Sequence, residues 1–181
     1  MKTITIACFT ILLLANCSTS KNTDTTMKEE PKLPESTLPP TDADVPKVTG
    51  IGGIFFFSDN PDASKAWYAA NLGLETNPYG AVFEFRNANH PDQINYLQWS
   101  VFNRGSNYFE PSKKEFMINY RVQNLEALVD KLKQNGVTVL DSIETYDYGK
   151  FVHIIDPEGN KIELWEPIDH VLTNFGGKTN K

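Results

Sequence analysis

With 181 residues, the chain has room for one domain plus appendages. Hydrophobic residues make up 40% and aromatic residues 12%, enough for a packed core. The formal net charge of −6, with no run of Lys or Arg, excludes the basic surface that nucleic-acid binding requires.

Met1-Lys2 precedes an apolar stretch, Ile4 to Leu14, interrupted only by Thr and Cys8. A positive charge followed by about 7–15 apolar residues has the form of a secretory signal, too short for a stable bilayer span. The stretch ends in Leu14-Ala15-Asn16-Cys17, which resembles a bacterial lipobox except at Asn16, where a smaller residue is usual. Residues 1–17 are therefore expected to direct export, with Cys17 acylated and the protein anchored to a membrane. Ordinary cleavage near Ser18 to Ser20 is the alternative. After Cys17 there is no further cysteine, so the domain must stand without disulfides.

Residues 18–47 hold five prolines (Pro31, Pro34, Pro39, Pro40 and Pro46) and little to bury. Such composition cannot offset its ordering entropy and is expected to act as a disordered tether. Folding is expected over residues 48–168, with a flexible tail over 169–181.

Within that domain, Gly50 to Phe57 reads as a strand. Pro61 opens a helix over Asp62 to Leu72, with Ala66, Trp67, Ala70 and Leu74 near one face and Gly73 as its stop. Three strands follow, near Leu74 to Asn77, Ala81 to Asn87 and Asn95 to Phe102. The order then repeats: strand Phe116 to Val122, amphipathic helix Leu125 to Gln134, strands Val137 to Leu140, Gly149 to Ile155 and Lys161 to Trp165. Each half reads β-α-β-β-β. Neither could bury its sheet alone, so the two pack together as an α+β fold with one cup-shaped mixed sheet. The pairing could close within one chain or across a homodimer.

These features resemble the vicinal oxygen chelate superfamily, which includes glyoxalase I, extradiol dioxygenases, methylmalonyl-CoA epimerase and bleomycin-resistance proteins. The resemblance covers residues 48–168. It rests on Trp67-Tyr68, Leu72-Gly73-Leu74, Leu125-Glu126-Ala127-Leu128 and Asn135-Gly136-Val137, and above all on Asp156-Pro157-Glu158-Gly159-Asn160-Lys161-Ile162-Glu163-Leu164. Metal-using members hold a divalent ion with four His, Gln or Glu side chains, one from each of four strands. By resemblance those positions fall here on Gly52, on Gln98 (or Trp99 if the register slips by one), on Met117 and on Glu163. Only the last is a sure ligand. No metal cofactor is therefore expected, although a divalent ion is what the family would bring.

Strand alternation gives the concave face independently of the family. Phe116, Ile118, Tyr120 and Val122 form an apolar face for the helices, leaving Met117, Asn119 and Arg121 on the other side. The same phase places Gly52, Ile54 and Phe56 inward, then Tyr96, Gln98 and Ser100, then Lys161, Glu163 and Trp165. A five-residue loop at Asp156 to Asn160 would set His153 opposite Glu163; a four-residue loop would turn it away. Glu84 and Arg86 belong either to the cup or to its rim.

The expected site is thus Glu163 and His153 as candidate catalytic groups, with Phe56, Tyr96, Gln98, Met117, Asn119, Arg121 and Trp165 around a small-molecule ligand. Aromatic walls with a few polar groups are usual for such sites. Two functions fit: a metal-free binding module for a planar, partly aromatic ligand, or a lyase or isomerase with Glu163 as base or metal ligand. A third reading leaves the cup without a ligand, with Glu163 and Arg121 pairing only with each other.

Overall fold

A computed structural model of the protein describes residues 42–181. They fall in the unit Pro39–Lys181; the other unit, Met1–Leu38, lies outside the described residues, as do the expected signal segment and Cys17. Among the described residues, no helix is long and apolar enough to cross a membrane.

The first half contains β1 (Lys47–Ser58), α1 (Pro61–Leu72), β2 (Thr76–Asn77), β3 (Gly80–Arg86) and β4 (Ile94–Asn103). The second contains β5 (Phe116–Gln123), α2 (Leu125–Gln134), β6 (Thr138–Val139), β7 (Glu144–Tyr146), β8 (Gly149–Ile155), β9 (Lys161–Pro167) and α3 (Asp169–Phe175). The strands form one mixed sheet in the order β2-β3-β4-β1-β5-β9-β8-β6, with β7 also pairing β8. β1 and β5 meet antiparallel at its centre, so one chain completes the cup. Within each half the outer-going pair is parallel, β1 with β4 and β5 with β9.

α1 and α2 cover the convex face. Leu125, Leu128 and Val129 of α2 pack with Val122, Val152, Ile154 and Leu164 in the main core. The start of α2 is fixed from β9, whose Glu166 carboxylate accepts from the Asn124 and Leu125 backbone N–H groups at 3.2 and 3.0 Å. α1 ends at Gly73, in the left-handed conformation with φ 70°. Its inward stripe is shifted by one residue from expectation. Tyr68 meets the Trp99 ring at 4.8 Å, while Trp67 is 55% exposed.

Two boundaries differ from the sequence reading. The tether was expected to run to residue 47, yet its last residues join the fold. Gln123 Nε2 donates to the Asp42 and Val45 carbonyls, and Asn124 Nδ2 donates to the Asp44 carbonyl at 2.7 Å. At the other end, the expected flexible tail forms α3 and then crosses to β3. There Asn180 N donates to Val82 O at 2.8 Å and Asn180 O accepts from Glu84 N at 2.9 Å. That segment supplies polar partners to strand groups β2 does not reach, which is why it is ordered.

Candidate functional site

The concave face holds a cavity of about 1060 Å³, just above the usual range for small-ligand sites. Its floor comes from β1, β5 and β9 and its walls from β3, β4, β8 and four segments that the sequence reading left aside.

At the centre lies Glu163, 4% exposed. One carboxylate oxygen accepts from Asn119 Nδ2 at 2.6 Å. The other accepts from the Tyr108 hydroxyl at 2.6 Å and faces His153 Nε2 at 3.0 Å. His153 stands directly opposite Glu163 in the β8–β9 ladder, as the five-residue loop requires. Its other ring nitrogen meets Asp141 at 2.6 Å, giving a chain Asp141–His153–Glu163–Tyr108. Burial opposes ionisation of Glu163, but the hydrogen bonds from His153, Tyr108 and Asn119 outweigh it and hold its pKa below the ordinary value. Burial likewise works against a charged His153, and the two carboxylates outweigh it, so its pKa is raised. Burial first, then the Glu163 charge, pushes the Tyr108 hydroxyl well up, so it remains a donor.

Tyr96, Gln98, Asn119, His153, Glu163 and Trp165 all line the cavity, as alternation predicts. Ile162 and Leu164 lie behind the sheet against α2. Phe56 does not line it. The register of β1 against β5 shifts between Ile51 and Gly53, a bulge that advances the phase by one residue. Phe55 therefore turns inward, while Phe56 packs against Trp99 on the helix side. Ile54, also expected inward, is turned outward by the same shift and is exposed.

Met117 and Arg121 occupy the expected face but are covered. Met117 is fully buried in a cluster with Phe55 and Phe109. Arg121 lies 5.1 Å from the Trp165 ring centroid, donates to Tyr96 O at 3.1 Å and pairs with Asp169 of α3. The third reading, in which Arg121 and Glu163 satisfy only each other, does not hold, because each has its own partners. Glu84 faces the same side and accepts from the Thr179 hydroxyl at 2.6 Å, whereas Arg86 donates to Pro91 O near the rim.

Four contributors were missed, one of them the run from Thr76 to Tyr79 through β2 and the turn after it. Tyr108 sits on the β4–β5 connection, Tyr146 and Tyr148 on and beside the short β7, and Leu172 and Phe175 on α3, with Gly176 to Thr179 beyond it. The aromatic pair Tyr108-Phe109 in an otherwise polar loop was the available signal, since exposed loops rarely place two rings together without a surface to cover.

The four positions at which metal-using relatives place ligands do not make a donor set here. Gly52 has no side chain, and a Cβ there would fall 2.1 Å from Asn119 Oδ1 and 2.8 Å from the Trp165 ring. Gln98 Nε2 donates to Ser100 Oγ at 3.0 Å, Met117 is enclosed by aromatic rings, and Glu163 accepts from three partners. Among the described residues, no three His, Cys, Asp or Glu side chains converge as a metal site. The family's divalent ion does not fit these residues.

A family model described as "Glyoxalase-like domain" matches residues 53–165, more than half of the chain. The chain belongs to the glyoxalase-like domain family. No curated protein matches it. Among solved structures, a Streptomyces coelicolor methylmalonyl-CoA epimerase variant bound to 2-nitronate-propionyl-CoA is 15% identical with TM-score 0.50, the match covering 67% of this chain and 99% of that one. The methylmalonyl-CoA epimerase of Mycobacterium tuberculosis is 19% identical, covering 70% and 93%, with TM-score 0.47. An Mn(II)-bound glyoxalase from Novosphingobium aromaticivorans is 16% identical, covering 67% and 40%, with TM-score 0.49. At these identities the likeness concerns the glyoxalase-like fold, and the two paired modules described above are its substance.

Proposed function

We propose that this glyoxalase-like domain binds a small planar or partly aromatic molecule in its cup without the family's metal, as an exported protein anchored through acylated Cys17. The observation that carries the binding reading is a roomy cavity with aromatic walls over a floor whose family ligand positions are filled or blank. Phe151 and Trp165 stack at 5.7 Å with planes 7° apart, and such faces favour flat ligands. The enzymatic alternative, with Glu163 as base of a lyase or isomerase, meets an obstacle in the same geometry. Three donors stabilise the carboxylate anion and so weaken it as a proton acceptor.

Metal analysis of the purified protein tests the absence of the ion. The expected content of zinc, nickel, iron and manganese is far below one per chain. A content near one ion per chain that disappears in Glu163→Gln would overturn the metal-free reading.

Export and anchoring rest on the apolar run that ends in Leu14-Ala15-Asn16-Cys17. Cys17→Ser is expected to move the protein from the membrane to the soluble fraction. Equal partitioning of the two forms would refute the anchor.

A further inference from the structure

The polar atoms of the cup floor are unequally satisfied, and the imbalance has a chemical sign. Asn119 Nδ2 donates to Glu163, which fixes the orientation of the amide and leaves Oδ1 as an acceptor. That oxygen is buried and has no partner, on a residue only 2% exposed that lines the cavity. An unsatisfied buried acceptor carries a free-energy cost that a donor from a ligand would relieve.

The charged groups point the same way. Lys161 lines the cavity, but its ammonium donates to Tyr108 O at 2.7 Å and lies 5.1 Å from the centre of the Tyr108 ring. Lys178 reaches away to Glu75 at 3.1 Å. His153 has both ring nitrogens engaged by carboxylates, one of them Glu163. The two enclosed cations lining the cavity, Lys161 and His153, are thus held by fixed partners, and the third, Lys178, is exposed and paired outward with Glu75. Glu163 meanwhile keeps a carboxylate at the floor beside the stacked Phe151 and Trp165. A carboxylate or phosphate deep in the cup would meet that buried charge with no enclosed cation free to offset it.

We infer that the cup selects a planar ligand carrying N–H donors and no anionic group, its donor satisfying Asn119 Oδ1 while its ring lies along the Trp165 wall. The inference rests on the binding reading above and gives it a ligand chemistry, opposite in sign to an oxyanion.

Four benzene derivatives of one shape separate charge from donor capacity: benzamidine (cation, donors), benzamide (neutral, donors), acetophenone (neutral, no N–H donor) and benzoate (anion). Each is titrated into the isotope-labelled full chain, following the Trp165 indole N–H and the Asn119 side-chain amide by NMR. The expected ranking is benzamidine and benzamide ahead of acetophenone by at least about fivefold in Kd, and ahead of benzoate by at least about tenfold. In Glu163→Gln, with dispersed spectra as the check on folding, the lead of benzamidine over benzoate should shrink by at least about fivefold. Benzoate binding as tightly as benzamidine, acetophenone matching benzamide, or an unchanged ranking in Glu163→Gln would each overturn the inference and leave the binding reading standing. Absence of any cup response to all four probes would sink the binding reading and the inference with it.

Discussion

Replacing Asp169 by Ala is expected to destabilise the fold by about 3–5 kcal/mol, because it strands the Arg121 charge inside the protein. Both side chains are nearly inaccessible, at 5% and 8%. Arg121 has a carbonyl acceptor in Tyr96, but its Nε has no partner, so nothing nearby can take over from the lost carboxylate. The measurement is chemical denaturation of the wild type, Asp169→Ala, and the double variant Arg121→Leu/Asp169→Leu. The double variant should recover much of the loss, since an apolar pair of similar volume escapes desolvation. A loss below about 1 kcal/mol in Asp169→Ala would mean that water reaches the pair and that α3 does not dock as described.

The second large effect concerns the opposite face of the sheet. Leu164→Ala should lose about 2–5 kcal/mol, the transfer free energy of the missing methyls plus the cavity left behind. Leu164 is 3% exposed, between α2 and the neighbouring strands. Ile162, two residues earlier on the same face, is only partly buried and should lose less. Equal and small losses at both positions, read from denaturant midpoints at constant slope, would contradict the assignment of this face to the core.

Those two positions also mark how far the sequence could be read. In β5 and β9 one face is apolar and the other mostly polar, so the inward set follows from period two, and His153 stands opposite Glu163 once the loop before β9 has five residues. β1 broke the rule for a local reason. Gly52-Gly53 permits a bulge, and a bulge reverses every assignment after it, exchanging Phe56 for Phe55. Composition does not say whether a double glycine will be used in this way; the register against β5 does. The end of the chain was misread for a different reason. Asp169 to Phe175 is a short helix with little propensity to stand alone, and what holds it is remote: Arg121, and the Tyr96 hydroxyl with Thr173 Oγ1 at 2.8 Å. The ring pair Tyr108-Phe109 marks a surface to cover, but the hydroxyl's role arises from Glu163, 55 residues away, and no local pattern gives it.

The glycine at position 52 has a consequence for how such a protein could change over time. To place a ligand there, a lineage would need a side chain where even one carbon collides with Asn119, Trp165 and Arg121. Gly52→His made alone displaces three residues that also hold Glu163, the aromatic wall and α3, so the first step loses stability before any ion could compensate. The neighbours would have to shrink first, each at a cost and without a benefit of its own. A metal ligand at position 52 is thus out of reach of a single substitution, because Asn119, Trp165 and Arg121 already fill the space it would need.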